Sequence, residues 1–278
     1  MPPDYSEILS EINTRWQSLR EESTWAKFHA NRDYVEYYNN RALLDSTLPN
    51  FSEPIELVSE IIDVHRLTRG SSILDIGAGS GRIAIPLTQL GMVIDAVEPS
   101  DVMVGNMQRN WPEGTPPPRR TLIKKWEDVQ VETNLKPPYD AIIFVHSFVM
   151  NDLINSLEKA IRASIGGSIV THQMRELNDV ALAWERVSGD SFQDGPGPDV
   201  ICDALRALGE DPRTISTPRC ASTICRNLTD AAAWIELQMG PASEGHRTEI
   251  REIAATIYQR SSDSLIFDFE FDEVHIYW

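Results

Sequence analysis

Ser72-Ile-Leu-Asp-Ile-Gly-Ala-Gly-Ser-Gly81 decides the reading of this chain. A short apolar run ends in an acid and then a glycine-rich turn. That is how a buried parallel strand delivers its C-terminal end to a nucleotide-like ligand. A second apolar run, Met92 to Val97, ends in Glu98, 21 residues after Gly77. An acid at that distance suits a pair of ribose hydroxyls. The glycine order is G-x-G-x-G rather than the G-x-G-x-x-G of nicotinamide and flavin binders, and no Lys-Ser/Thr follows as in a Walker A loop. A pyrophosphate gains nothing from a carboxylate at Asp75, whereas a ligand with an ammonium group does.

Outward from this stretch, strand and helix patterns alternate. Strands are expected over 72–76, 93–97, 120–125, 139–145 and 168–172. The helices between them begin near Gly81, at Ser100 as an N-cap, and at Asn151 or Asp152. Such alternation means parallel, right-handed βαβ units. Upstream, Ile8, Leu9, Ile12, Trp16 and Leu19 recur at helical spacing, an aromatic-rich helical segment runs from Trp25 to Leu44, and Glu56 to Leu67 is amphipathic. Downstream, helices are expected over 176–188, 199–208, from Thr229, and over 247–260, with an edge strand within 214–226. Leu265 to Phe271 alternates with period two and, with Val274 to Trp278, reads as one or two antiparallel strands.

A chain of 278 residues with 41% hydrophobic and 24% charged residues supports a packed globular core. The formal net charge of −17 opposes a phosphate-gripping face, and Arg119-Arg120 with Lys124-Lys125 form the only basic cluster. Nucleic-acid partners are therefore disfavoured. No apolar run is long enough for a membrane span, and the acidic, polar N-terminus lacks a signal-peptide pattern, so a cytoplasmic protein is expected. Cys202, Cys220 and Cys225 are too few for a disulfide framework and match no zinc spacing, so no metal site is expected.

Ile73-Leu-Asp-Ile-Gly-Ala-Gly-Ser-Gly81, Val97-Glu-Pro-Ser100, Trp126-Glu-Asp128 and Tyr139-Asp-Ala-Ile-Ile-Phe-Val145 fall in an order and at a spacing that resemble the class I S-adenosylmethionine-dependent methyltransferases. The resemblance covers roughly 55–175. It implies a Rossmann-like, doubly wound, mostly parallel sheet with helices on both faces, and S-adenosylmethionine as cofactor. Asp75, Gly77, Ala78, Gly79 and Gly81 would line the methionine end and the ribose. Glu98, followed by Pro99, would accept both ribose hydroxyls. Met103 would pack on the adenine or simply on the core. The Trp126 backbone and Glu127 or Asp128 would meet the adenine edge, although Lys124-Lys125 depart from the Gly-Asp common in the family. His146 would lie beside the sulfonium.

Methyl transfer needs alignment, exclusion of water and, for some acceptors, a base. Ligands bind outside the carboxyl ends of the strands in such sheets. His146 follows the fourth strand and His172 ends the fifth, so these are the candidate bases. His29, His65, His246 and His275 are expected to be structural or superficial. Trp25, Tyr34, Tyr37 and Tyr38 could form a lid, and Arg175 and Arg186 could meet an anionic acceptor, though solvated surface is the simpler role for both arginines. The expected organisation is an N-terminal helical lid over 1–54, the cofactor-binding core over 55–175, and over 176–278 a helical cap insertion after strand five plus C-terminal antiparallel strands completing the sheet. A closed cap suits a small-molecule methyl acceptor better than a polymer. A cofactor-binding regulatory module without turnover and a protein methyltransferase are the alternatives. Oligomeric state is not legible.

Overall fold

Five strands pair in parallel, and the inner ones are apolar runs buried on both faces, the condition for a parallel sheet. The computed structural model describes residues 5–29, Tyr37 and 54–278. Strand β1 (Ser72–Ile76) lies between β2 (Val93–Val97) and β4 (Ala141–Val145), and β3 (Arg120–Leu122) pairs with β2. Strand β5 (Gly167–Met174) joins β4 in parallel. Two long strands then complete the sheet antiparallel to their neighbours: β8 (Ser264–Tyr277) against β5, and β6 (Arg213–Cys225) against β8. The order is β3-β2-β1-β4-β5-β8-β6, with β7 (Gln259–Ser261) forming a hairpin with β8. The order reverses between β1 and β4, so the crevice expected of such a sheet opens at their C-terminal ends.

Helices cover both faces. On one lie α1 (Tyr5–Glu22), α7 (Leu153–Ala163) and α9 (Pro198–Ala207), packed over Leu74, Ile142, Phe144 and Ile169. Trp16 anchors α1: it is 2% exposed, and its indole N–H donates to the Met150 carbonyl at 2.9 Å. Asn13 accepts from the Leu153 amide at 2.9 Å, so α1 is tied to the loop that leaves β4. On the other face, α3 (Pro54–His65) and α4 (Ala84–Gln89) bury Ile61, Ile83 and Leu87 against Ile73, Ile94 and Ile143. Helix α5 (Asp101–Asn110) starts at Ser100, whose hydroxyl accepts from the Met103 amide at 3.0 Å. Asp152 caps α7 through the Asn155 amide at 3.0 Å.

A second core joins α2 (Thr24–Phe28) to α8 (Asp179–Ser188), α10 (Leu228–Met239) and α11 (Arg247–Ile257), around Phe28, Trp184, Ile235 and Ile250. Trp25 stands edge-on to Phe28 and Phe192, and Tyr37 donates to Gln238 at 2.6 Å. These two aromatics pack on the 176–278 region. Tyr34 and Tyr38 lie outside the described residues, as does most of the segment from Trp25 to Leu44. A short four-residue helix, α6 (Val131–Asn134), links β3 to β4. Among the described residues no helix is long and apolar enough to cross a membrane.

Candidate active site

The turn after β1 is folded by its glycines. Gly77, Gly79 and Gly81 take φ of 73°, 55° and 86°, a region that side chains rarely adopt. Gly77 and Ala78 both donate to the Val97 carbonyl, at 2.7 and 3.3 Å, which folds the turn back over β2. A Cβ on Gly77 would overlap Ser147, whose hydroxyl donates to the Ile76 carbonyl at 2.5 Å. The ends of β1 and β4 are thereby clasped. A Cβ on Gly79 would instead meet only the Gly77 carbonyl, at 3.9 Å.

Two buried carboxylates face this turn. Glu98 is 6% exposed; its Oε2 accepts from the Gly79 amide at 2.9 Å and its Oε1 from the Ser100 amide at 2.8 Å. Those two bonds fix its orientation and leave lone pairs on both oxygens. Burial pushes its pKa up, opposed by the Ser100 and Gly79 amides. Asp75 is 2% exposed and its Oδ2 has no hydrogen-bond partner among the described residues. Burial, with the Glu98 charge behind it, pushes its pKa up to about 7. A buried, unmatched carboxyl oxygen invites a cationic donor.

Beyond the turn, His146 follows β4 with φ of 53°, an uncommon conformation for a non-glycine residue. Its ring lies 3.9 Å from that of His172 on β5, and His172 is edge-on to Phe271 at 4.6 Å. Both histidines are partly exposed. His146 Nε2 is 3.4 Å from Oε2 of Glu273 on β8. Burial lowers the His146 pKa, and Glu273 opposes the shift. Arg82, just past the glycines, has its pKa lowered by burial and raised by the Glu273 charge.

The two candidate bases are thus together, and Asp75, Ala78 and the three glycines share the turn that Glu98 braces from β2. Pro99 links Glu98 to the Ser100 cap. Met103, on the first turn of α5, is partly exposed, while Val104 and Met107 on the same helix are buried. Trp126 starts a 3₁₀ turn ending at Asp128; its ring is 2% exposed and edge-on to Phe144 at 6.0 Å, whereas Glu127 and Asp128 are exposed. Arg175 and Arg186 are not in the cleft: Arg175 pairs with Glu270 and Asp272 at 3.8 and 3.7 Å, and Arg186 donates to Thr256 at 2.8 Å. His65 and His275 meet at Ser168, at 2.8 and 2.7 Å, inside the sheet–helix layer.

Glu273, Arg219 and Arg82 were not expected. For Glu273 a signal existed. The inward face of the last strand runs Phe267, Phe269, Phe271, and the next residue in that stripe is an acid.

A parallel core ending in an acid–glycine turn, with a second acid braced on β2, gives the Rossmann-like fold of class I S-adenosylmethionine-dependent methyltransferases. Residues 50–185 match the family described as "Methyltransferase domain", and the α/β core of this chain belongs to it. The YcgJ protein of Bacillus subtilis is similar at 14% identity and a TM-score of 0.51, over 79% of this chain and 97% of that one. Magnesium protoporphyrin IX methyltransferase of Synechocystis aligns over 97% of this chain and 99% of its own, at 12% identity and a TM-score of 0.44. A methyltransferase of Thiobacillus denitrificans, crystallised with S-adenosylhomocysteine, gives 13% identity and 0.46, over 80% and 90%. No curated protein matches the chain. Residues 50–185 therefore carry a methyltransferase domain.

Proposed function

We propose that this enzyme methylates a small-molecule acceptor in the cleft beside His146 and His172, with one of them taking up a proton. The observation that carries the proposal is the pair of imidazoles, 3.9 Å apart, at the carboxyl ends of β4 and β5. S-adenosylmethionine supplies a methyl group already activated by its positive sulfur. The chain's part is to hold, orient and exclude water. Glu98 would take the ribose hydroxyls, Asp75 the cofactor's ammonium, and the amides of the glycine turn the methionine end. Met103 would cover one adenine face, and the Trp126 backbone and Glu127 its edge. The unmatched oxygen of Asp75 and the open space at Gly79 favour that fit. A neutral His146 suits a base, because burial disfavours its protonated form.

Three features support a small acceptor. The net charge of −17 disfavours nucleic acid. The helices α8, α10 and α11 would act as a cap, and α1, tied to the loop after His146, as part of a lid. Both would enclose a small ligand. We place the enzyme in the cytoplasm, in keeping with three free cysteines. The test is formation of S-adenosylhomocysteine with a panel of small hydroxyl, amine and carboxylate metabolites, alongside a mixture of unfolded proteins. Turnover with small molecules is expected. His146→Ala or His172→Ala should lower kcat by 100-fold or so while cofactor affinity holds. Turnover confined to the protein mixture would overturn the proposal.

A further inference from the structure

Glu273 sits where strand packing alone would place an apolar residue. It lies directly across β8 from His172 on one side and Thr217 on the other, in the stripe that continues from Phe271. It is 8% exposed. Its Oε2 is 3.4 Å from His146 Nε2, while its Oε1 accepts from Arg219 Nε at 3.1 Å and lies 3.1 Å from Nη2. Arg219, on β6, also pairs through Nη1 with Glu56 at the start of α3. A buried carboxylate costs several kcal/mol unless it is paired, and an apolar residue would avoid that cost. Burial alone would push the Glu273 carboxyl up; His146 and Arg219 outweigh it and hold the group below its ordinary value.

We propose that Glu273 is a positioning residue for methyl transfer: it holds the His146 ring through Nε2, setting its tautomer and orientation, while Arg219 and Glu56 set how much of the Glu273 charge the ring feels. This rests on the reading of His146 as the proton acceptor. A carboxylate that accepts from one imidazole nitrogen leaves the lone pair on the other, the arrangement a base requires. It also favours the imidazolium that forms when the proton arrives. Among the described residues, the charged and titratable groups around His146 are Glu273 from β8, His172 from β5 and Arg82 from the glycine turn, with Arg219 from β6 and Glu56 from α3 acting through Glu273.

The two sides of this network predict opposite effects. Glu273→Gln removes the negative charge that favours His146 protonation, so the His146 pKa falls. Arg219→Gln leaves Glu273 in place with less neutralisation, so the His146 pKa rises. A purely structural role for either residue predicts loss of stability without that opposition.

The experiment is a pH titration of histidine ring nitrogens by long-range ¹H–¹⁵N NMR on the full chain, wild type and variants. Wild-type His146 should carry its proton on Nε2. Glu273→Gln should lower its pKa by about 1–2 units and mix the tautomers. Arg219→Gln should raise it, and Glu273→Asp should fall between wild type and Glu273→Gln. An unmoved His146 in Glu273→Gln, or the same direction of shift in Glu273→Gln and Arg219→Gln, overturns the proposal. If Glu273→Gln does not fold, Arg219→Gln decides: a fall or no change in the His146 pKa overturns it. Calorimetry with S-adenosylhomocysteine on the same samples separates the two readings. A wild-type protein that does not bind overturns the site itself, whereas binding with an unmoved His146 overturns only the role of Glu273.

Discussion

Replacing Asp75 with asparagine should uncouple cofactor binding from pH. The free protein holds this carboxyl at 2% exposure with Oδ2 unmatched among the described residues, and its pKa is pushed up from 3.8 to about 7. An ammonium beside it favours the ionised form and returns the pKa toward its ordinary range. Binding is therefore linked to release of a proton. With a free-protein pKa of about 7, roughly 0.9 proton should leave at pH 6 and roughly 0.1 at pH 8. Affinity for S-adenosylhomocysteine should tighten by close to tenfold per pH unit between about 5 and 6.5, then level off. Glu98 is also pushed up, but its two backbone amides oppose that shift, so Asp75 leads.

The same shift has a consequence for stability, with a definite sign. Because the folded pKa is raised, the contribution of neutral Asp75 is full below about pH 4 and is lost as pH rises through about 7. Ionising a carboxyl moved from 3.8 to about 7 costs up to about 4 kcal/mol. Asp75→Asn should therefore melt at higher temperature than wild type at pH 8, by less than that figure implies, since the amide also lacks partners. Calorimetry in buffers of different ionisation enthalpy counts the protons. Proton uptake in wild type, or an unchanged pH dependence in Asp75→Asn, would mean that Asp75 does not meet the ammonium.

Two other perturbations separate fold from site. Gly79→Ala adds a methyl at φ of 55°; stability should fall by only about 1–2 kcal/mol while S-adenosylhomocysteine affinity drops at least tenfold, whereas Gly77→Ala, overlapping Ser147, should cost more stability. The reverse order, read by thermal melts and calorimetry, would contradict the geometry. Trp16→Ala should cost about 3–5 kcal/mol in urea unfolding, because a ring at 2% exposure and its bond to Met150 are both lost; a loss under 1 kcal/mol would mean that α1 does not anchor on the core.

The residues of the proposed cofactor site could be picked out from the sequence because they sit at strand ends, where an apolar run stops. Asp75, Glu98, His146 and His172 all follow that rule. Strand ends set by neighbours were less legible. Strand β3 stops at Leu122, short of Lys125, where Ile123 to Lys125 are exposed. Strand β5 runs on to Met174 because β8 continues to pair with it through Phe271. The sequence leaves open one strand or two around Asp272-Glu273; β8 passes through it without interruption, held on both sides by β5 and β6. The acceptor side was hidden for the same reason. Glu273 and Arg219 meet only when the last strand inserts between β5 and β6, a pairing between segments about 50 residues apart that periodicity does not announce.

Glu98, braced by the Gly79 and Ser100 amides, is the residue proposed to anchor the cofactor's ribose. A crystal structure with S-adenosylhomocysteine, paired with calorimetry on Glu98→Ala, tests it most directly. Both ribose hydroxyls should lie on the Glu98 carboxylate, and the variant should lose about 1.5–3 kcal/mol of binding. A ligand whose ribose lies away from Glu98, or an unchanged dissociation constant in Glu98→Ala, would contradict it.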